Sequence, residues 1–249
     1  VDFVGDAVGL DALWADLCGG SGCRVHGRRL PFWNRVREHR ELLSTDSHPY
    51  LLHHAIEGVP VFPLAAACDL LAFVAGVPHP YEVRDLRLYA GITVETPVPL
   101  RVVVRGDRAE IRFGERDTLA YRATVIPAEP VELPAPATGG EPPSLTVDAF
   151  YRDVTFHGRA LQGLVSVDGV GRHADPDVDF ARGRVRGSRP VDWIPRTPRS
   201  AWSVDPLALD SAFQMGALVA WQRYARAGTP VSLGRMIAVS YTHLRAHET

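Results

Sequence analysis

The sequence predicts an α+β protein built from two units of similar layout. Two long apolar stretches of helical character occur along the chain, and the first is followed by segments with the alternating pattern of β-strands. A stretch dense in Pro and Gly separates the two apolar helices. A buried helix next to short antiparallel strands, on both sides of such a linker, indicates two copies of one small α+β unit packed together.

Residues 1–43 are predicted to form a separate N-terminal segment. Residues 7–17 place apolar side chains at helical spacing, and the glycines from Gly19 to Gly22 end that pattern. The residues between Arg35 and Arg40 are mostly charged, and the chain becomes more apolar from His48 to Tyr50 onward. We therefore place a boundary near residue 44 and expect the N-terminal segment to be a linker or the end of a preceding domain.

The first unit is predicted to span residues 44–127 and to contain a buried helix. An Ala- and Leu-rich stretch begins after Pro63 and is closed by Gly76, which are the residues that favour a helix start and a helix end. Four strand-like segments follow: VRDLRLYAGITV, PLRVVVRG, AEIRFGE and TLAYRATVI. Their alternation of apolar and polar side chains indicates an antiparallel meander.

Residues 128–145 are predicted to form a semi-stiff linker, because they are dense in Pro and Gly. The second unit is predicted to span residues 146–239, with a second apolar helix closed by Gly228 and a last strand ending at Val239.

The tail, residues 240–249, shows neither strand alternation nor an apolar helical face, so we expect it to lie outside the core. It resembles the translated adaptor sequence that ends many assembled protein fragments, and we expect it to be non-native. The alternative is a polar linker in which His243 and His247 form a metal pair on a helix.

Composition and charge argue against several classes of function. The hydrophobic fraction of 46% and the charged fraction of 22% are those of a globular protein with a core. The net charge of −2, with both signs interleaved, provides no basic face for nucleic acid. The sequence contains neither an apolar run of membrane-spanning length nor a secretion signal, and Cys18, Cys23 and Cys68 lack metal-ligand spacing. We therefore expect a cytoplasmic protein that binds neither membrane nor nucleic acid.

The first candidate motif is His-x3-Gly-x4-Pro, formed by His54, Gly58 and Pro63 directly before the first apolar helix. The glycine permits a tight turn and the proline starts the helix, so the histidine is held at the helix entrance. The alternative is a structural histidine. The neighbouring His53 is expected to face solvent.

The second candidate motif is Asp-x3-Gln, formed by Asp210 and Gln214 on the second apolar helix. A spacing of four residues places both side chains on one helical face. A carboxylate in apolar surroundings is costly unless it is paired or used in chemistry. The alternative is a capping or first-turn aspartate, which the helix dipole favours.

A third element, Phe156-His157-Gly158 through Leu164, lies between these two motifs. Its glycines indicate a loop or turn close to another backbone. By itself, His157 is more typical of a loop histidine than of a catalyst.

Taken in order, the three elements resemble the dehydratase domains of polyketide synthases and fatty-acid-synthase-type assembly lines, over about residues 44–238. The resemblance implies a double hot dog fold, in which each of two units wraps an antiparallel sheet around a central helix. It also implies that His54 is the catalytic histidine and Asp210, with Gln214, the catalytic acid. The family motif Tyr-Gly-Pro-x-Phe appears here as His157-Gly158-Arg159-Ala160-Leu161 and keeps only its glycine.

The implied reaction is a β-elimination on a 3-hydroxyacyl group. His54 takes the proton at Cα, Asp210 gives a proton to the departing hydroxyl, and Gln214 orients Asp210 or that hydroxyl. Free N–H groups near Leu64, at the start of the first helix, meet the charge that develops on the thioester oxygen. His157 and Gly158 belong to the same site.

This chemistry requires no metal and no organic cofactor, because the substrate is carried on the phosphopantetheine arm of an acyl carrier protein. The expected partners are that carrier, the other domains of the synthase and a second copy of the chain in a homodimer. Two alternatives remain: a catalytically silent hot dog module, and a related module that uses the same dyad for aldol cyclisation or double-bond isomerisation.

Overall fold

The computed structural model describes most of the chain, namely residues 24–25, 28–29, 36–129, 139–172 and 179–239. The predicted helix over 7–17, Cys18, Cys23, residues 130–138 of the predicted linker and the tail over 240–249 lie outside the described residues. The chain divides into two compact units, Val1–Arg35 and Val36–Thr249. In the first of these, β1 (Arg24–Val25) pairs antiparallel with β2 (Arg28–Arg29).

The larger unit contains all the other described helices and strands. Its strands are β3 (Val36–Leu43), β4 (Ala55–Ile56), β5 (Val59–Pro60), β6 (Tyr81–Leu88), β7 (Val98–Arg105), β8 (Arg108–Phe113), β9 (Thr118–Pro127), β10 (Leu164–Arg172), β11 (Asp179–Val185) and β12 (Ser232–Ala238). Its helices are α1 (Leu64–Ala75), α2 (Val147–Asp153), α3 (Pro190–Trp193) and α4 (Pro206–Tyr224), with short 3-10 turns at Pro49–His53 and Arg159–Leu161. None of the described helices is long and apolar enough to cross a membrane.

The main sheet is a six-stranded antiparallel sheet with the strand order β12-β6-β9-β8-β7-β3. Strands β7, β8 and β9 form an antiparallel meander, whereas β6, the first strand of the predicted meander, pairs with β9 and not with β7. Strands β7 and β8 are joined by a tight turn in which Gly106 has a φ of +64°. This positive φ is readily adopted by glycine. Together with the helices, the sheet confirms the predicted α+β class.

The helix α1 lies across this sheet and is buried over nearly its whole length. It begins after Pro63, which has an extended conformation, and it ends at Gly76, whose φ of +56° is typical of a helix C-cap. All of its residues except Phe73 are buried. Full burial of each leucine, such as Leu64 and Leu71, stabilises the fold by about 1.5–3 kcal/mol. This helix therefore anchors the core, as the apolar run predicts.

The sheet begins at Val36, ahead of the predicted boundary near residue 44. Strand β3 pairs with β7 along its full length, and Leu43 at its end is fully buried. Arg37 donates to the carbonyl of Ala75 at 2.5 Å and so binds the C-terminal end of α1. Glu38 and Arg40 lie on the exposed side of this edge strand, where charge discourages pairing with other chains.

The second half of the larger unit combines a small sheet with a long helix. Strands β10 and β11 pair antiparallel, and α4 packs against them through Leu218 and Val219. The predicted last strand of this half, β12, pairs instead with β6 of the main sheet. Leu233 and Met236 of β12 pack on the main core, which explains the pairing and joins the two predicted units through one sheet.

A buried ion pair also joins the two halves. The carboxylate of Asp69 on α1 accepts hydrogen bonds from Arg199 at 2.7 and 2.8 Å and from the backbone N–H groups of Ser203 and Val204 at 2.8 and 3.1 Å. These four contacts hold the segment before α4 against α1. They therefore fix where α4 begins relative to the entrance of α1.

Candidate active site

His54 is positioned by a tight hairpin directly before α1. Strands β4 and β5 are joined through Glu57 and Gly58, whose φ values of +52° and +84° allow a two-residue turn. The hairpin brings Val61 back beside the histidine, so that the Val61 N–H donates to the His54 carbonyl at 2.9 Å. The His54 ring is thereby held at the mouth of the helix.

The protonation of the His54 ring follows from its hydrogen bond. Its Nδ1 lies 2.7 Å from the Val61 carbonyl oxygen, which can only accept, so Nδ1 carries the proton. In the neutral ring, Nε2 then keeps a lone pair. Burial lowers the pKa of His54, an effect opposed by Asp210 and increased by His157. The neutral form is therefore favoured near neutral pH.

Asp210 lies in α4 beyond the first turn, and its alternative interpretation as a cap is wrong. Asp205 is the N-cap, because its side chain accepts from the N–H groups of Leu207 and Ala208 at 2.9 and 3.3 Å. Asp210 is only 4% exposed. The Gln214 amide donates to its Oδ2 at 2.6 Å, which is the contact predicted by the spacing of the two residues.

A residue that the sequence does not single out fixes this amide. The Tyr151 hydroxyl, from α2, donates to Gln214 Oε1 at 2.6 Å and accepts from the N–H of Leu164 at 2.9 Å. Gln214 Nε2 also donates to the Leu161 carbonyl at 2.8 Å. The local sequence around Tyr151 gives no signal for this role, because the contact joins residues distant along the chain.

The third element packs directly against the first. His54 and His157 form an isolated antiparallel bridge, and the Gly158 N–H donates to the His53 carbonyl at 2.8 Å. A Cβ at Gly158 would lie 2.6 Å from the His53 ring and 3.1 Å from its Cα, so this close approach requires glycine. His53 is partly buried by the contact, in contrast to the expected solvent-facing position.

His157 therefore belongs to the site and is not a remote loop residue. Its Nε2 lies 3.2 Å from Asp210 Oδ2, and its Nδ1 contacts the hydroxyl of Thr155. Its ring centroid is 5.3 Å from that of His54. The sequence feature that points to this role of His157 is its position along the chain between the His54 and Asp210 motifs. His54, His157 and Asp210 are also the described residues that could hold a metal ion.

A cavity of about 410 Å³ brings these polar groups together. His54, His157, Asp210 and Gln214 line one part of it, and the remaining wall is largely apolar, including Leu64, Phe150, Phe156 and Phe213. Leu64 is the first residue of α1, where N–H groups have no acceptor within the helix. Pro63 and Gly58 shape the backbone around the cavity without lining it.

A comparison with protein families gives a match over residues 35–116 to the model described as the polyketide synthase dehydratase domain. A sequence search finds no significant match among curated proteins. Among solved structures, the chain resembles the dehydratase domain of PpsC from Mycobacterium tuberculosis in complex with C12:1-CoA. The TM-score is 0.56 and the identity 25%, with 76% of this chain and 70% of that chain covered.

Two further solved structures share the fold. The dehydratase domain of a mycocerosic acid synthase-like polyketide synthase gives a TM-score of 0.57 at 24% identity, covering 85% of this chain and 78% of that one. An isomerase-inactive variant of GphF DH1 gives a TM-score of 0.61 at 18% identity, and the match covers 80% of this chain and 73% of that one. The hot dog fold implied by the resemblance is confirmed by these neighbours. The family model matches residues 35–116, and these neighbours show that the chain shares the fold of the dehydratase domains named above.

Proposed function

We propose that the chain removes water from a 3-hydroxyacyl thioester carried on the phosphopantetheine arm of an acyl carrier protein. The observation that carries this proposal is the meeting of His54 and Asp210, from two different halves of the fold, at one largely apolar cavity. One group can accept a proton and the other can donate one. An elimination needs both functions on the same substrate.

His54 is the base in this proposal. The Val61 carbonyl holds Nδ1–H, so the lone pair of Nε2 is available to take the proton at Cα, which the thioester acidifies. The electron pair of the broken C–H bond forms the new double bond between Cα and Cβ. The imidazole becomes an imidazolium ion, with the Asp210 carboxyl nearby.

Asp210 is the acid. In its protonated form it donates to the β-hydroxyl as the C–O bond breaks, so that water leaves and a carboxylate remains. Gln214 is a positioning residue, because its amide fixes Oδ2 at 2.6 Å. Exchange with solvent then removes the proton from His54 and returns a proton to the Asp210 carboxylate.

The start of α1 supports the same reaction. Leu64 lines the cavity, and the first N–H groups of a helix favour a nearby negative charge. They are suited to the charge that develops on the thioester oxygen as Cα loses its proton. The phenyl rings of the cavity wall favour an acyl chain over a charged substrate.

The proposed setting is a multidomain synthase in the cytoplasm, with the carrier and the other synthase domains as partners and a second copy of the chain in a dimer. The chemistry requires no organic cofactor, since both protons move between protein side chains and substrate. Capture of a carrier protein by a mechanism-based probe that reacts at His54 tests the carrier dependence. Failure to capture any carrier would contradict it.

Double-bond isomerisation is the second candidate, because one structural neighbour is described as an isomerase-inactive variant of GphF DH1. Analysis of the products from a panel of carrier-bound 3-hydroxyacyl chains separates the possibilities. Dehydration lowers the product mass by one water, dehydration followed by isomerisation gives that same mass with the double bond moved, aldol cyclisation gives a ring, and a silent module gives no product.

A further inference from the structure

Two histidines and one carboxylate converge at the candidate site in a way that acid–base chemistry alone does not require. His54, His157 and Asp210 each offer one ligand atom, and these atoms all lie within 4.8 Å of one another. We propose that these three residues bind a divalent transition-metal ion of the zinc class, and that the bound ion blocks elimination. Metal binding at these residues stands apart from the proposed function, whereas the block of elimination rests on it.

The outer contacts of both imidazoles suit metal binding. The Nδ1 of His54 donates to the Val61 carbonyl at 2.7 Å, and the Nδ1 of His157 contacts the Thr155 hydroxyl. Metal-binding histidines usually donate their second N–H to such a group, which orients the ring. The remaining Nε2 atoms are then the ligand atoms. The Gln214 amide orients the Asp210 carboxylate by donating to its Oδ2.

The spacing of the ligand atoms is compatible with tetrahedral zinc. His157 Nε2 and Asp210 Oδ2 are 3.2 Å apart. Two ligands with bonds of about 2.0–2.2 Å to one tetrahedral ion lie roughly 3.3 Å apart. The separations to His54 are larger but stay within 4.8 Å.

The site is also enclosed. His54 is 8% exposed and Asp210 is 4% exposed, and the His157 side chain is 11% exposed. Rings held by packing and by outer hydrogen bonds lose little freedom when an ion binds. Within the described residues, no other three His, Cys, Asp or Glu side chains offer ligand atoms at such short separations.

Two imidazoles and one carboxylate favour zinc or a neighbouring transition metal over calcium or magnesium, which prefer oxygen ligands. Three protein ligands leave a coordination position open toward the cavity. The ion would occupy the lone pair of His54 Nε2 and one oxygen of Asp210. Both are needed for elimination, so metal-bound protein should be inactive until a chelator removes the ion.

Cobalt(II) titration of the full-length, untagged, metal-free chain tests this inference through the visible absorption of the ion. We expect one Co²⁺ per chain, with the intense bands of a four- or five-coordinate site, and displacement by Zn²⁺. His157→Tyr removes one ligand and places the family residue there, and Thr155→Val removes only an outer contact. Loss of an outer contact weakens metal binding by about 10–100-fold, and loss of a ligand should weaken it at least as much.

The matched control is the double variant His243→Gln/His247→Gln, which removes the two histidines of the tail and should leave the spectrum unchanged. The inference is overturned if the wild-type chain gives no such bands, or if the bands disappear in the tail variant. It is also overturned if His157→Tyr and Thr155→Val, shown to be folded by circular dichroism, keep full affinity for Co²⁺. Turnover of the metal-free chain is measured separately. Absence of turnover with an intact cobalt spectrum would contradict the proposed function alone.

Discussion

Gln214 donates its amide to Asp210 Oδ2 at 2.6 Å while its own oxygen accepts from Tyr151, also at 2.6 Å. Because Nε2 points at an acceptor and Oε1 at a donor, the amide has one orientation only. The carboxyl that we propose as the acid is therefore held by a chain of contacts reaching back to the Leu164 N–H. This pre-set orientation supports the two groups that we propose exchange protons with the substrate.

His54→Phe should abolish elimination while the protein stays folded. Phenylalanine fills similar space but provides no base, and loss of this role should lower turnover by about 10²–10⁴-fold. The lost hydrogen bond to Val61 should cost about 0.5–1.5 kcal/mol of stability. The control is His53→Gln, which removes the neighbouring ring. Turnover kinetics and thermal melts of both variants test this prediction. A large fall in the melting temperature of His54→Phe together with its loss of activity would indicate a structural histidine.

Asp210→Asn should leave the fold intact, because the two side chains are nearly isosteric, but it removes the proton that the leaving hydroxyl needs. Turnover should fall by about 10²–10⁴-fold. Gln214→Ala should have a milder effect, since it removes only an orienting contact. Steady-state kinetics on a carrier-bound substrate provide the test. Near-normal turnover of the Asn variant would exclude Asp210 as the acid.

Tyr151→Phe tests the positioning chain without touching the proposed acid. The variant removes the contact that fixes the oxygen of the Gln214 amide and leaves the two contacts of its nitrogen, so we expect kcat to fall by roughly tenfold or less while KM changes little. Tyr224→Phe is the matched control, because Tyr224 is 68% exposed at the end of α4. An equal loss in kcat for both variants, or a change confined to KM, would contradict the positioning role.

Asp69→Asn should strongly destabilise the fold, because it leaves the buried Arg199 guanidinium without its charge partner. Breaking a buried ion pair from one side costs about 3–5 kcal/mol in unfolding free energy. The matched control is Asp192→Asn, which breaks the exposed Arg189–Asp192 pair and should change stability little. Urea denaturation measures both. Similar stability for the two variants would show that the buried pair contributes no more than a surface pair.

Glu82 should make the attachment of β12 sensitive to acid. Hydrogen bonds from Arg84 and Arg235 lower the pKa of Glu82 to about 2. Because the pKa of Glu82 is lower in the folded protein than in the unfolded chain, where it is about 4.3, ionised Glu82 stabilises the fold. This stabilisation is fully present above about pH 4.3 and is lost as the pH falls toward about 2. The melting temperature of wild type should therefore exceed that of Glu82→Gln at pH 7 and approach it at pH 3. A difference that does not depend on pH would contradict this.

The features predicted correctly from sequence are those set by neighbours along the chain. The burial of α1 follows from its apolar run between Pro63 and Gly76, and the contact between Asp210 and Gln214 follows from their spacing on one helix. The expected alternation of strands β6 to β9 likewise needs only local information.

Long-range contacts explain what the sequence did not predict. Tyr151 meets Gln214 only because α2 and α4 fold together, and His157 reaches Asp210 only because its segment pairs with that of His54. The pairing of β12 with β6 has the same origin, since either half could accept a strand of that pattern. The local sequence around Tyr151, His157 and β12 does not indicate which distant residues each of them contacts.

The most direct test of the account is the mass of the products formed when the metal-free chain is incubated with carrier-bound 3-hydroxyacyl substrates. We predict a carrier-bound enoyl product that is one water lighter than the substrate, formed by the wild-type chain and by His53→Gln but not by His54→Phe or Asp210→Asn. Unchanged substrate mass with the folded wild-type chain across the whole panel, or equal product from all four proteins, would contradict a dehydratase that works through His54 and Asp210.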